Sequence, residues 1–299
     1  GPVFYIKKAF NNKFGSFLAV FFAVAIILAL GFMGCMVQSN SIAEACTNAF
    51  GIPGWVMGLI VAALAGFIFL GGINRIASVT EKLVPIMAAL YLLFGLIILI
   101  ARIRYIPETF GMIFKYAFEP NAISQGVKRG LFSNEAGMGS TPHAHAIAKV
   151  KKPHDQGVVA MVGVFIDTFV VLTMTALIVI STLYAGNGIL ASGAADGVSK
   201  TNMAQLAFGQ VFGSTFGNCV VAICLLFFAF STIISWNLFG RINVHFLFGR
   251  KTASKIYSAI AVVFIFLGSC LSNDLVWELT DMFNQLMVIP NVIALFALS

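Results

Sequence analysis

Residues 130–146 read GLFSNEAGMGSTPHAHA, a polar run punctuated by Gly130, Gly137, Gly139 and Pro142. Within a helix, glycine costs about 1 kcal/mol and proline about 3 kcal/mol relative to alanine, so the run predicts irregular backbone instead of one long helix. Its surroundings are greasy. Hydrophobic residues make up 60% of the 299 and charged residues 10%, where a soluble domain has about half and about a quarter. The class this defines is an all-α, multi-pass membrane protein. Irregular backbone in such a chain must be enclosed by protein, line a watery cavity or lie at the interface, because lipid satisfies no N–H or C=O group.

The thirty phenylalanines and eleven methionines fit lipid-facing and helix-packing surfaces and form no cofactor motif. A net charge of +7 reads in this class as cytoplasmic loop charge, with no nucleic-acid partner implied. Cys35, Cys46, Cys219, Cys224 and Cys270 contain no CxxC pair, so neither a metal framework nor a disulfide scaffold is expected. The chain opens on GPVFYIKK and stops on ALFALS within an apolar stretch, the pattern of an internal piece of a longer protein.

Seven spans are expected: Phe14–Val37, Trp55–Ile73, Leu83–Ala101, Val158–Tyr184, Cys219–Phe239, Tyr257–Leu271 and Leu275–Leu298. Twelve of the eighteen basic residues fall on one set of connections, among them Lys7, Lys13, Arg75, Lys149, Lys152, Arg250 and Lys251. Four (Arg102, Arg104, Lys115, Lys200) fall on the other set. The basic side is cytoplasmic, which puts the Val150–Asp155 loop inside and the polar segment Ser192–Gln210 outside. One further crossing is then required between Ala101 and Lys149. Glu108, Lys115, Glu119, Lys128, Arg129 and Glu135 cut that interval into pieces too short to span. Either a shielded broken helix makes the crossing, or part of a helix is missing.

Several polar residues interrupt the spans. Gln38, Ser39 and Asn40 follow Val37; they read as a polar helix end in water, or as amides facing a cavity, where Gln38 can donate and accept without adding charge. Ser231, Thr232, Ser235 and Trp236 interrupt another span, with Thr232 and Trp236 four apart on one face. Such hydroxyls often bond back to the preceding turn, yet hard oxygens also suit sodium. Asp167 sits mid-span beside Thr168, where an ionisable group has either coupling-ion duty or an interhelical bond. In the opening segment, HxH lacks the i, i+4 geometry of a zinc helix and GMGST does not match GxSxG. A cytoplasmic gate or hinge is the preferred reading there. Ser133, Asn134 and Glu135 supply its polar contacts, and Gly137 and Gly139 absorb the dihedral change.

Seven segments in order, GPVFYI, GFMGCMVQSNSIAEA, GGINRIASVTEKLVPIMAALY, QGVKRGLFSNEAGMGSTPHAHA, GVFIDTFVVLTMTAL, FAFSTIISW and VIPNVIALFALS, resemble the motifs of the alanine or glycine:cation symporter family. The resemblance implies a LeuT-type inverted-repeat fold, of which residues 1–299 form a single transmembrane domain running from about helix 3 to helix 10. By it the domain is incomplete at both ends and shortened near 120–122, where AFEPN joins AISQG. It implies symport of a small neutral amino acid such as alanine or glycine with sodium or a proton, by alternating access in a bacterial or archaeal inner (plasma) membrane. No cofactor is implied beyond the co-transported ion, and the oligomeric state stays open. A truncated, non-transporting homologue is the alternative, and a membrane enzyme using Glu135–His145 a distant one. By the resemblance Gln38, Thr232 and Trp236 contact substrate, Trp236 closing a small apolar pocket. Ser231 and Thr232 bind the cation, and Asp167 is a candidate for coupling.

Overall fold

The computed structural model describes every residue except Ala136, Ala194, Ala195 and Lys200, and the backbone alone at 72–77 and at Thr80. Among the described residues every regular element is a helix. After α1 (Pro2–Ala9), Asn12 accepts the Gly15 N–H at 2.9 Å and so caps the start of a long helix, α2 (Lys13–Phe50). It ends at Gly51, whose φ of 67° is the left-handed conformation that glycine adopts freely. Then come α3 (Gly54–Leu70), α4 (Gly72–Ala101), α5 (Ile106–Tyr116), α6 (Pro120–Ser133), the single turn α7 (Pro142–His145) and α8 (Pro153–Leu183). Four more follow: α9 (Met203–Phe212), α10 (Ser214–Phe248), α11 (Lys251–Cys270) and α12 (Asn273–Leu298).

Six of the seven expected spans lie on single helices and Trp55–Ile73 is split at Gly71 between α3 and α4, while six of the helices are long and apolar enough to cross a membrane. The exception is α3, whose 17 residues reach about 25 Å at roughly 1.5 Å per residue, short of a core of about 30 Å. Isoleucines and alanines of α2 and α10 form the interior: Ile26, Ala29, Leu30, Ile233 and Ile234 are fully buried. Leu70, Phe17 and Phe169 instead stand 64% to 85% exposed on the periphery, as lipid-facing residues should.

The helix borders differ from expectation in three places. The connection carrying Arg75 and Lys82 is no loop: it is the start of α4, although the Arg75 side chain lies outside the described residues, as does Lys200. Gly130 is inside α6, so the irregular stretch before α7 begins only at Asn134, with Ala136 outside the described residues, a shorter break than the sequence suggests. Gln38, Ser39 and Asn40 do not end a helix, because α2 runs three turns further to Phe50. Ser39 and Asn40 are buried; Asn40 Nδ2 donates to the carbonyls of Gly268 and Leu271 at 2.9 Å each, covering the C-terminal end of α11. Between Ala101 and Lys149 stand α5 and α6, of 11 and 14 residues, and neither qualifies as a span.

Two spans widen to π-helix, at Ile27–Gly34 in α2 and at Ile166–Leu172 in α8. Such insertions recur at functional sites because they shift the i→i−4 ladder and re-aim side chains. Here one precedes Gln38 by a turn and the other contains Asp167.

Candidate functional site

The site grows out of the contact between the π segment of α2 and the middle of α10. A Cβ on Gly34 would lie 2.6 Å from two atoms of the Trp236 ring, so only glycine lets the indole rest on the α2 backbone. The two helices run antiparallel across the membrane. One turn further along α2 is Gln38 and one turn back along α10 is Thr232, which by helical spacing turns both toward the side of the Gly34–Trp236 contact. Among the described residues, nothing bonds the Gln38 amide. Thr232 and Trp236, read from their spacing as one face of a helix, both lie on α10; among the described residues no hydrogen bond joins Gln38 to either.

The hydroxyls of α10 bond back to their own helix. Ser231 Oγ and Thr232 Oγ1 both donate to the Phe228 carbonyl at 2.9 Å, and Ser235 Oγ donates to Ser231 O at 3.0 Å. That is the structural reading of these residues, and it leaves their lone pairs free, since a hydroxyl that donates once keeps acceptor capacity for a cation or an ammonium. Ser231 is buried; Thr232 is half-buried.

Trp236 is held from the other side by the break at 134–141. Its Nε1–H donates to Glu135 Oε1 at 2.7 Å, while Oε2 accepts from Ser140 Oγ at 2.5 Å and Thr141 Oγ1 at 3.1 Å. Phe132 packs edge-on against the indole at 5.6 Å. Glu135 adopts φ 50°, a left-handed conformation strained for a side chain of this size. Gly137 and Gly139 follow at φ 74° and 77°, and a Cβ on Gly139 would come within 2.8 Å of Asn291. The glycines are required by the turn itself.

Three consecutive residues, the last of α6 and the first two of the break, reach two helices. Asn134 Nδ2 donates to Thr168 Oγ1 of α8 at 2.7 Å, and Ser133 approaches the neighbouring Asp167 carboxylate. Glu135 reaches α10. Asp167 keeps one buried carboxylate oxygen without a partner and belongs to the Ser133 side of the break; among the described residues no hydrogen bond joins it to Trp236 or Thr232. Asn291 of α12 donates to Gly137 O at 2.8 Å and accepts from Tyr5 OH, so α1 and α12 close the remaining sides.

The two histidines serve different neighbours. His143 is 1% exposed, with Nδ1 2.9 Å from the Ser140 carbonyl and Nε2 2.8 Å from Asn243 Nδ2. That pairing fixes the neutral tautomer with Nδ1 as donor. Burial pushes the ring down to about 4. His145 pairs with Gln156 at 2.6 Å. With Glu135 engaged on both oxygens and His143 buried, the segment is built as a clasp.

Sequence reasoning did not anticipate the charge pair beneath it. Arg129 of α6 meets Asp281 of α12 through two bonds of 3.1 Å, Lys128 joins at 2.7 Å, and the guanidinium lies 4.6 Å over Trp277. Asp281 could have been flagged as a carboxylate inside an apolar span; its partners are brought to it only by packing.

The chain is thus a polytopic helical protein in which an irregular loop is tied to a span through Glu135 and Trp236. The sodium:alanine symporter family matches residues 1–299, and the chain belongs to that family. It is 37% identical over its whole length to the sodium/alanine symporter AgcS of Methanococcus maripaludis, covering 66% of that protein. Likewise it is 38% identical to a putative sodium/proton-dependent alanine carrier protein, YrbD, of Bacillus subtilis, covering 64% of it. A probable sodium/glutamine symporter, GlnT, of the same organism is 36% identical and covered over 62% of its length. The chain thus spans slightly less than two thirds of these relatives. They are carriers, not enzymes, and the chain is a multi-pass plasma-membrane protein of a transporter family.

Proposed function

We propose that the whole protein couples uptake of a small neutral amino acid, alanine or glycine, to sodium or proton entry by alternating access on a LeuT-type plan. The observation that carries this is the Trp236–Glu135 bond. It ties a hinge-like break to Trp236, one helical turn from Thr232, so that a substrate held at this turn of α10 is coupled to the position of the break. Thr232 and Ser231 present oxygens for the cation, the Gln38 amide pairs with a zwitterion, and the indole covers a short side chain.

Opening requires Glu135 to release Trp236 and the turn at Gly137 and Gly139 to swing. Asn134–Thr168 carries that motion to α8, where Asp167 sits beside the moving end and would sense the ion. A substrate shifts such an equilibrium only by binding one state better than the other. The relatives named as alanine carriers support the substrate class. The test is uptake of labelled alanine and glycine into proteoliposomes holding the whole protein, with a sodium gradient, a proton gradient or neither. Uptake indifferent to both gradients would refute coupling.

A further inference from the structure

On the periphery, α3 and α11 leave a cleft of about 320 Å³ whose floor is the Arg241 side chain of α10. Gly66, Phe69 and Leu70 line one wall, and Lys255, Ser258 and Val262 line the other. Both walls follow helical spacing, so each is a single helix face. We infer that this cleft binds the phosphodiester headgroup of an acidic glycerophospholipid of the cytoplasmic leaflet, its acyl chains lying along α3 and α11.

Charge comes first. Arg241 and Lys255 point into one cleft, and neither meets a carboxylate: among the described residues the ion pairs converge on Asp281. Two like charges sharing an apolar cleft repel each other and call for an anion. Arg241 does donate one bond, to the Phe69 carbonyl at 3.3 Å, which caps the end of α3. A guanidinium has five donors, so the cap explains its position and leaves most of the fork free for a phosphate. The cap gives no reason for Lys255 to line the same cleft.

Ser258 is the second, independent sign. It is 9% exposed, lines the cleft and has a buried Oγ with no hydrogen-bond partner. A buried hydroxyl left unpaired costs about 1–3 kcal/mol, and a phosphate oxygen would satisfy it. Guanidinium, ammonium and hydroxyl then supply three donors from two helices to one tetrahedral anion.

The surroundings select a lipid over a soluble anion. Leu70 stands 85% exposed at the mouth of the cleft, and both walls continue into apolar helix faces. Arg241 and Lys255 lie near the connection carrying Arg250 and Lys251, the basic side of the chain and hence the cytoplasmic leaflet. A zwitterionic lipid would bring its own cation against two others.

Native mass spectrometry of the protein released from mixed micelles tests this, with equimolar phosphatidylglycerol and phosphatidylcholine. The expected result is a preference for phosphatidylglycerol of roughly tenfold or more, at two cations near the headgroup. It should fall to within about twofold in the R241Q/K255Q double variant. Ser258→Leu, which fills the cleft without changing charge, should lower it as well, and covers the case in which the double variant fails to fold. Equal retention of both lipids, or an undiminished preference in the variants, overturns the site. Displacement of the lipid by equimolar glycerol phosphate overturns the lipid in favour of a soluble anion.

Discussion

Trp236→Phe tests the latch most directly. The substitution keeps an aromatic ring over Gly34 and beside Phe132 but deletes the Nε1–H that bonds Glu135 at 2.7 Å. A hydrogen bond to a charged acceptor contributes about 1.5–3 kcal/mol. Glu135 keeps Ser140 and Thr141 on its other oxygen, so the loop stays folded while its tie to α10 is lost. If the latch limits opening of 134–141, amide exchange there rises by roughly ten- to 150-fold. A smaller ring also leaves a void, and that part is separated by repeating the change in a Glu135→Gln background. There the bond lost is neutral, worth about 1 kcal/mol, and the increase should shrink to a few-fold. Hydrogen–deuterium exchange resolved to peptides reads both numbers. Equal increases in the two backgrounds would show that only packing was lost, and no change in either would refute the latch.

Three further outcomes follow from named contacts. Thr232→Ala in the whole protein should weaken sodium and alanine dependence together, by about five- to a hundredfold, as expected when one buried hydroxyl serves both; unchanged uptake at limiting sodium would make Thr232 a packing residue. Cysteines placed at Val150–Asp155 should resist an impermeant thiol reagent added outside intact cells, while cysteines at Ser192–Gln210 should react, and labelling of the first set overturns the topology. Acid should destabilise the fold through His143. Its pKa is lowered from 6.5 to about 4 by burial, so between those values the unfolded chain binds a proton that the folded one refuses. Stability is present above about pH 6.5 and is lost as pH falls toward 4, by at most about 3 kcal/mol. Thermal unfolding of wild type and His143→Gln at pH 7 and pH 5 checks this, and an equal pH response in both would clear His143.

The helices were legible because their signal is local. Apolar runs and the basic connections each act within a few residues, and six of the seven expected spans lie on single helices in the structure. Where the local signal ran out, the helix ends moved. Val37 marks the last of the apolar residues of α2, yet Asn40 and Glu44 continue the helix because they find partners on distant segments: Asn40 on Gly268 and Leu271, Glu44 on Ser199 and Asn273. A polar residue with a tertiary partner looks in sequence like one that wants water.

The sequence alone determined the class, the order of the spans, a resemblance to the family and the presence of a glycine-punctuated break within residues 130–146. These depend on composition, on period and on glycines whose backbone conformation no other residue adopts cheaply. Tertiary structure decided which residues make one site. Glu135 and Trp236 lie 101 positions apart and Arg129 and Asp281 lie 152 apart, and neither pairing has a trace in the spacing of the chain. Each depends on two helices brought to one depth and one rotation, which is fixed by packing of small residues such as Gly34 against large ones. A one-residue rotation of α10 turns Trp236 by about 100°, and the donor no longer faces its carboxylate.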